Sequence, residues 1–507
     1  MCGIFGVISN KPVCKDVVNA LHALEHRGIQ SSGIISYDSS REKFSSPIRS
    51  TGSSTEVFQN IDLDKIPDNV AIGHNRYATS GDDLHRDAQP LYIQKPGLAM
   101  GFNGQIANFM GMKKILKRER AYSFFTDTDV EPLLFCLAQN LIELDCYNAE
   151  DTASFVKQKL FPALEKTMSQ ESKFHAIGAY SAVAIIADHG LLAFKDPHGI
   201  RPLCFAKKAE NGSSQYAFSS ETTALNFLGG FHDIRELEPG EAVFIDFSFN
   251  IYRKKILPLK EKFCPFEIVY FSQVDSTFKE QQVYDARCNL GDALAECFVH
   301  LKERVDSVIP VPKSPIPAAT AMANAWKKPF GGIVARPTFS KIRAFQHGPK
   351  KRTDYIDSKF LFVESHIKGK RVALVDDSIV RGDTSKNVIK KLFELGAKEV
   401  HFFSTYPPYI GICPGGIDIA DGEELLLHSG DKEHIETARK AIGATTLNFL
   451  PLNKMLEAIG MDEEHACLGC TKKDYPFDMD DYKRFQELRK EQRTGQKTIT
   501  SLQSSAP

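Results

Sequence analysis

Cys2 stands directly behind the initiator methionine. Removal of Met1 would leave a free α-amine on the residue that carries the thiol, and an amine with a pKa near ~8 can take the thiol proton directly or through water. Nucleophile and base would then share one residue. A second cluster is RVALVDDSIVRGDTSKN, from Arg371 to Asn387. An apolar run ends in Asp376 and Asp377, then a glycine-centred loop with hydroxyls leads into a helix-forming stretch. Loop amides and a helix N-terminus can hold a phosphate there while the carboxylates face a sugar. A third candidate is the C-x2-C pair Cys467 and Cys470, which suits a metal and equally suits two buried thiols.

Around Cys2, five motifs follow in order: MCGIFG, HRGIQSSG from His26, GHNRYATSG from Gly73, GFNGQIAN from Gly101 and TDTD from Thr126. With them the chain resembles the class II glutamine amidotransferase domain of the N-terminal nucleophile hydrolases. The resemblance implies that the Asn103 side chain and the Gly104 backbone N–H receive the oxyanion. It implies that Arg76 clamps the α-carboxylate of glutamine, that Asp127 accepts from its α-ammonium, and that Arg27 belongs to the same glutamine site. Gln30 and Gln105 depart from the family pattern at positions with no chemical task. His26 and His74 read as structural, because the α-amine already serves as base.

The VDDSIVRG segment resembles the diphosphate-sugar loop of type I phosphoribosyltransferases, in the form seen in the amidophosphoribosyltransferase family. By that resemblance Asp376 and Asp377 bind the ribose hydroxyls and, with Ser314, hold Mg²⁺. Ser378, Arg381, Gly382, Asp383, Thr384 and Ser385 bind 5-phosphoribosyl 1-diphosphate, the last four at its 5′-phosphate. Asp383 replaces a usual Thr. CPFEIVYFSQVDS from Cys264, with VYDAR from Val283, looks like the opening of the transferase domain, and VIPVPKSPIPAA from Val308 looks like its pyrophosphate loop. Lys313 and Pro315 are the largest departures: one adds a cation beside the diphosphate, the other removes an N–H. Arg343, Arg352 and Lys359 align loosely with a flexible loop that closes over the diphosphate; a solvated basic loop is the plain alternative. Cys264 and Cys413 fall where some family members carry cluster ligands. With Cys467 and Cys470 they imply a [4Fe–4S] cluster, with zinc or no metal as alternatives. The other cysteines read as core thiols.

These residues need elements to position them. The chain has 507 residues, 42 % hydrophobic and 25 % charged, ordinary globular proportions that exclude disorder or fibre for most of it. A net charge of −1, from 63 Lys+Arg against 64 Asp+Glu, provides no global field for nucleic acid or anionic lipid. Eleven irregular cysteines and the lack of a basic n-region or a membrane-length apolar run point to a reducing compartment, the cytoplasm.

Up to about residue 250, short β-branched and aromatic runs with helical stretches at Val17–Leu24 and Glu131–Leu144 predict an antiparallel α+β layer structure. The family implies four αββα layers. The basic, Pro-containing NIYRKKILPLKEKF suggests the junction. Beyond it, strands alternating with helices predict an α/β domain with a parallel sheet. The expected division is 2–253, glutaminase; 264–450, phosphoribosyltransferase; and 451–507, a helical segment with CxxC and a frayed polar tail. The resemblance implies glutamine and 5-phosphoribosyl 1-diphosphate as substrates, purine nucleotides as inhibitors, and a homotetramer or dimer. There are two rivals: another synthase with the same glutaminase half, against which the VDDSIVRG loop counts, and a divergent paralogue whose transferase half regulates or uses a different acceptor.

Overall fold

The structure is a computed structural model that describes residues 1–77, 85–210, 213–335, 359–417 and 422–494. Two antiparallel sheets dominate the first half. The larger runs His232–Glu236, Cys204–Glu210, Ser213–Ser219, Gly3–Ser9, Val70–Arg76, Ser31–Asp38 and Lys43–Phe44, with Ile48–Thr51 also on Ser31–Asp38. The smaller runs Ile251–Lys255, Glu241–Asp246, Gly190–Lys195, Gly178–Ile186, Leu98–Ile106 and Leu91–Ile93.

Side-chain alternation explains why the sheets stack. Along Gly3–Ser9, Ile4 and Ile8 enter one buried cluster with Val183, Ile185 and Leu191 of the smaller sheet, whereas Phe5 and Val7 enter another with Val17 and Leu21. A strand with period two therefore buries both faces. The outer face of the larger sheet carries the Cys14–Ala23 and Thr222–Leu228 helices, and that of the smaller carries Phe109–Arg120, Val130–Glu143 and Phe161–Met168. Helix, sheet, sheet and helix form the expected αββα layers.

The basic stretch that reads as a junction includes a strand. Ile251–Lys255 pairs with Glu241–Asp246 at the sheet edge. Its charges fit that place, since cations on an edge strand discourage pairing with other chains. In the second half, Ser307–Pro310, Arg371–Asp376, Glu399–Ser404 and Thr446–Phe449 form one parallel sheet, with the Ile316–Trp326, Asp383–Glu394 and Lys432–Ile442 helices between them. The tail forms a helix, Asp480–Thr494, that returns to the first half: Phe485 meets Phe109 edge-on, and Asp481 accepts from the Gly111 N–H at 2.9 Å. The polar end after it lies outside the described residues. Among the described residues no helix is long and apolar enough to cross a membrane.

Candidate active site

Cys2 precedes the central Gly3–Ser9 strand of the larger sheet, beside the end of the Val70–Arg76 strand, where Gly3 pairs with Asn75. The facing sheet supplies Asn103. Its Oδ1 accepts from the Cys2 nitrogen at 3.1 Å, and its Nδ2 is buried with no hydrogen-bond partner. A buried donor without a partner is costly, and one aimed beside a nucleophile is what a developing oxyanion requires. The next residue, Gly104, has φ +140, and a Cβ there would lie 2.0 Å from the Ala179 carbonyl oxygen, so only glycine fits. The Cys2 sulfur accepts from the Tyr77 N–H at 3.5 Å. Met1 is 1 % exposed and belongs to the same buried cluster as Phe263 and Ile268.

Arg27 is fully buried and turned inward. Its Nε donates to the Cys2 carbonyl at 2.8 Å, Nη1 pairs with Glu221, and Nη2 meets Glu267 at 3.0 Å. Its guanidinium is thus held by the protein on all three nitrogens, beside the nucleophile. Gly28 explains the rest of the HRG motif: a Cβ there would lie 2.4 Å from the Arg76 carbonyl carbon. Glu221 also accepts from His26 at 2.8 Å, the Gln273 N–H at 2.9 Å and Ser276 at 2.7 Å. Burial alone would raise the Glu221 pKa, but His26 and Arg27 together hold it well below the carboxylate range. His26 is accordingly structural. His74 Nε2–H donates to the Phe102 carbonyl oxygen at 3.0 Å, and burial with the Arg76 charge lowers its pKa to about 3, so it is neutral.

Arg76 is buried and pairs with Asp87 at 3.5 Å. Asp127 is exposed and accepts from Arg86 at 2.6 Å, while its own N–H donates to Asp87 at 3.3 Å. Asp87 therefore sits between the two residues expected to hold glutamine, and burial raises its pKa. Residues 78–84, which include the end of the GHNRYATSG motif, lie outside the described residues.

In the second half, Asp376 ends a central parallel strand and Asp377 follows it; both are buried. Ser314, on the neighbouring loop after Ser307–Pro310, donates to Asp377, as does Ser378 at 2.8 Å. Burial raises both carboxyl pKa values, and the Asp377 charge raises that of Asp376 further. Two crowded acids and a hydroxyl are hard oxygen donors that a divalent cation would stabilise in their charged form. Gly382, at φ +83, caps the Asp383–Glu394 helix; Thr384 and Ser385 lie in its first turn. The helix N-terminus thereby opens beside the carboxylates, suited to a phosphate. Arg381 is held by Glu424 at 2.6 Å. The Lys359 charge favours the ionised forms of Asp376 and Asp377. Arg343 and Arg352 lie outside the described residues.

Cys264, Cys413, Cys467 and Cys470 come together from three segments. The Cys467 N–H donates to the Phe263 carbonyl at 2.8 Å, and the Ile410 and Gly411 N–H groups donate to the Cys470 carbonyl at 2.8 and 3.0 Å. Burial pushes the Cys264 thiol up to about 11 and Cys467 to about 12, each also raised by other members of the set. Arg201 lies 4.0 Å from the Cys413 sulfur and pairs with Glu267 at 3.2 Å. The donors are soft sulfurs with a buried cation beside them. Among the described residues no three His, Cys, Asp or Glu side chains gather tightly enough to hold a single metal ion. Of the remaining cysteines, Cys14, Cys136, Cys146 and Cys204 are buried as expected, whereas Cys288 and Cys297 are half-buried.

Comparison with known proteins gives this geometry a family. A glutamine amidotransferase domain profile matches residues 74–227. Amidophosphoribosyltransferase of Pasteurella multocida is 33 % identical over 90 % of this chain and 89 % of its own length. The archaeal enzyme of Methanothermobacter thermautotrophicus is 31 % identical over 94 % of both chains. The chain belongs to the amidophosphoribosyltransferase family. Among solved structures, glutamine phosphoribosylpyrophosphate amidotransferase from B. subtilis, complexed with ADP and GMP, superposes with TM-score 0.78 at 31 % identity, covering 94 % of this chain and 98 % of that one. The chain is therefore a glutamine amidotransferase joined to a pentosyltransferase.

Family membership leaves four residues that local patterns did not mark. Asp87 follows a charged cluster after the Gly73–Gly81 motif. Glu221, Glu267 and Arg201 look like ordinary charges in sequence, and Glu267 lies inside CPFE, a segment read for its cysteine.

Proposed function

We propose that this amidophosphoribosyltransferase-family enzyme works through Cys2 as an N-terminal nucleophile. With Met1 removed, the nitrogen now bonded to Asn103 becomes the α-amine and takes the Cys2 proton. The thiolate attacks the glutamine side-chain carbonyl, and the oxyanion is received by Asn103 Nδ2 and the Gly104 N–H. Collapse to the thioester expels ammonia; water then releases glutamate and frees the sulfur. Arg76 binds the substrate α-carboxylate, with Asp87 setting its direction, and Asp127 accepts from the α-ammonium. Arg27 fixes the Cys2 carbonyl.

Ammonia passes inside the protein to C1 of 5-phosphoribosyl 1-diphosphate, displacing pyrophosphate and giving 5-phosphoribosylamine, the first step of purine synthesis. Asp376 and Asp377 face the ribose hydroxyls, and Gly382 to Ser385 receive the 5′-phosphate. Ser314, Asp376 and Asp377 would hold Mg²⁺, which when bound neutralises the leaving diphosphate. Ser378, Arg381 and Lys359 complete the polar rim, with Arg343 and Arg352 assigned to the closing loop. Water exclusion keeps ammonia unprotonated.

Cys264, Cys413, Cys467 and Cys470 are read as ligands of a [4Fe–4S] cluster. Four cysteines gathered from three segments offer soft sulfur donors of the kind such a cluster takes, with zinc as the alternative metal. The cluster would tie the C-terminal segment to both halves. The division into residues 2–253, 264–450 and 451–507, a homotetramer or dimer, and inhibition by purine nucleotides belong to the same reading.

The observation that carries it is the Asn103 side chain, with its oxygen on the Cys2 nitrogen and its nitrogen unpartnered. The test is Cys2→Ala assayed with glutamine and with ammonium. Loss of the first activity with retention of the second is expected; equal loss of both would refute the assignment.

A further inference from the structure

The carboxylate of Glu267 is fully buried and touches two arginines. Arg27 Nη2 meets it at 3.0 Å and Arg201 Nη1 at 3.2 Å. Arg27 and Arg201 are 0 % and 1 % exposed. Each arginine leads to one half of the glutaminase centre. Through Arg27, the planar guanidinium held at Nη1 by Glu221 and at Nη2 by Glu267 has a fixed plane, so its Nε must point at the Cys2 carbonyl 2.8 Å away. Through Arg201, the same carboxylate orients a guanidinium whose Nε donates to the Gly415 carbonyl at 2.7 Å. The next residue, Gly416, sits against Gly104: a Cβ there would lie 3.2 Å from the Gly104 carbonyl oxygen.

Resting on the reading of Cys2 as nucleophile, we propose that Glu267 is a positioning residue that sets the nucleophile, through Arg27, and the oxyanion-binding turn, through Arg201 and the 415–416 loop. Glu267 opens the π-helical turn Glu267–Phe271, in the segment that leads into the second half of the chain. That turn is itself clamped: Arg287 donates to the Ile268 carbonyl at 2.9 Å and the Ser272 carbonyl at 2.8 Å. The glutaminase centre is therefore complete only when this later segment is docked. A neutral side chain at 267 would leave Arg201 without its carboxylate and Arg27 with Glu221 alone, which is shared with His26. Both would be free to turn away from Cys2 and Gly415.

The test uses the full chain with Glu267→Gln and Glu267→Asp. Misplacement of a reacting group by about 1 Å costs on the order of 100-fold, so Glu267→Gln should lower kcat for glutamine hydrolysis by about 10- to 100-fold. KM for glutamine and the ammonia-dependent rate should stay within about threefold, because neither needs the Cys2 geometry. Glu267→Asp keeps the charge and should recover part of the loss. If Glu267→Gln does not fold, Glu267→Asp alone decides: reduced glutamine turnover with normal ammonia turnover supports the proposal. Wild-type glutamine turnover in the variant that folds overturns it, as does a parallel fall of both activities with a lowered melting temperature, which marks a purely structural role. Cys2→Ala, run beside them, separates the two claims: if it retains glutaminase activity the nucleophile reading fails, whatever Glu267 does.

Discussion

Replacing Asn103 separates the two tasks of one side chain. Its Oδ1 accepts from the Cys2 nitrogen at 3.1 Å and its Nδ2 has no partner. Asn103→Ala removes both. Loss of one oxyanion donor costs about 10²- to 10³-fold in kcat, equivalent to about 2.7–4 kcal/mol. The Cys2 nitrogen, left buried without its acceptor, adds about 1–3 kcal/mol of destabilisation. Asn103→Asp keeps an acceptor for that nitrogen and removes only the donor, replacing it with a like charge facing the oxyanion. Its turnover should fall at least as far, while its melting temperature stays nearer wild type. The assay is glutamate release from glutamine, run beside pyrophosphate release driven by ammonium. An interaction made only in the transition state lowers kcat and kcat/KM together, so KM for glutamine should hold within about threefold. The ammonium reaction bypasses Cys2 and should persist. Glutamine turnover within tenfold of wild type in both variants, or a loss carried by KM alone, would refute the oxyanion assignment.

Gly104→Ala places a methyl 2.0 Å from the Ala179 carbonyl oxygen at φ +140 and should cut both the melting temperature and glutaminase activity; a wild-type melt would contradict the geometry. Burial raises the pKa of Asp376 and Asp377, so the ion-free site holds protons above the usual carboxylate range that Mg²⁺ must displace. Mg²⁺ affinity should therefore climb with pH through and above that range, with proton release in calorimetry; flat affinity without release would exclude these ligands. Protein purified without oxygen should be brown and contain iron and acid-labile sulfide, both lost in Cys467→Ser, whereas colourless iron-free protein would reject the cluster.

The legible part of the site was the part written in short motifs. Cys2, Asn103 and Gly104 are identified by residue type in runs of a few residues, and the Asp376–Ser385 loop by a strand, a glycine turn and a helix start in succession. The same local patterns place the strands and helices, since period-two and 3.6-residue periodicity are local properties. The pairing of Arg27 was not legible. Its carboxylate partners are 194 and 240 residues away, and no local pattern records a pairing over such a distance. Asp87 pairs with Arg76, a contact that the local pattern around neither residue records. The Ile251–Lys255 strand was masked by its own lysines and arginine, which suit an edge and read as a linker.

The account depends on a chemical event at the first residue: the nitrogen that Asn103 holds must become an amine. Intact-mass spectrometry of fully active protein, before and after inactivation by a glutamine-mimicking alkylator, measures this directly. The expected result is a mass lacking one methionine, with a single adduct that peptide mapping places on Cys2. Active protein that retains Met1, or an adduct elsewhere, would contradict it.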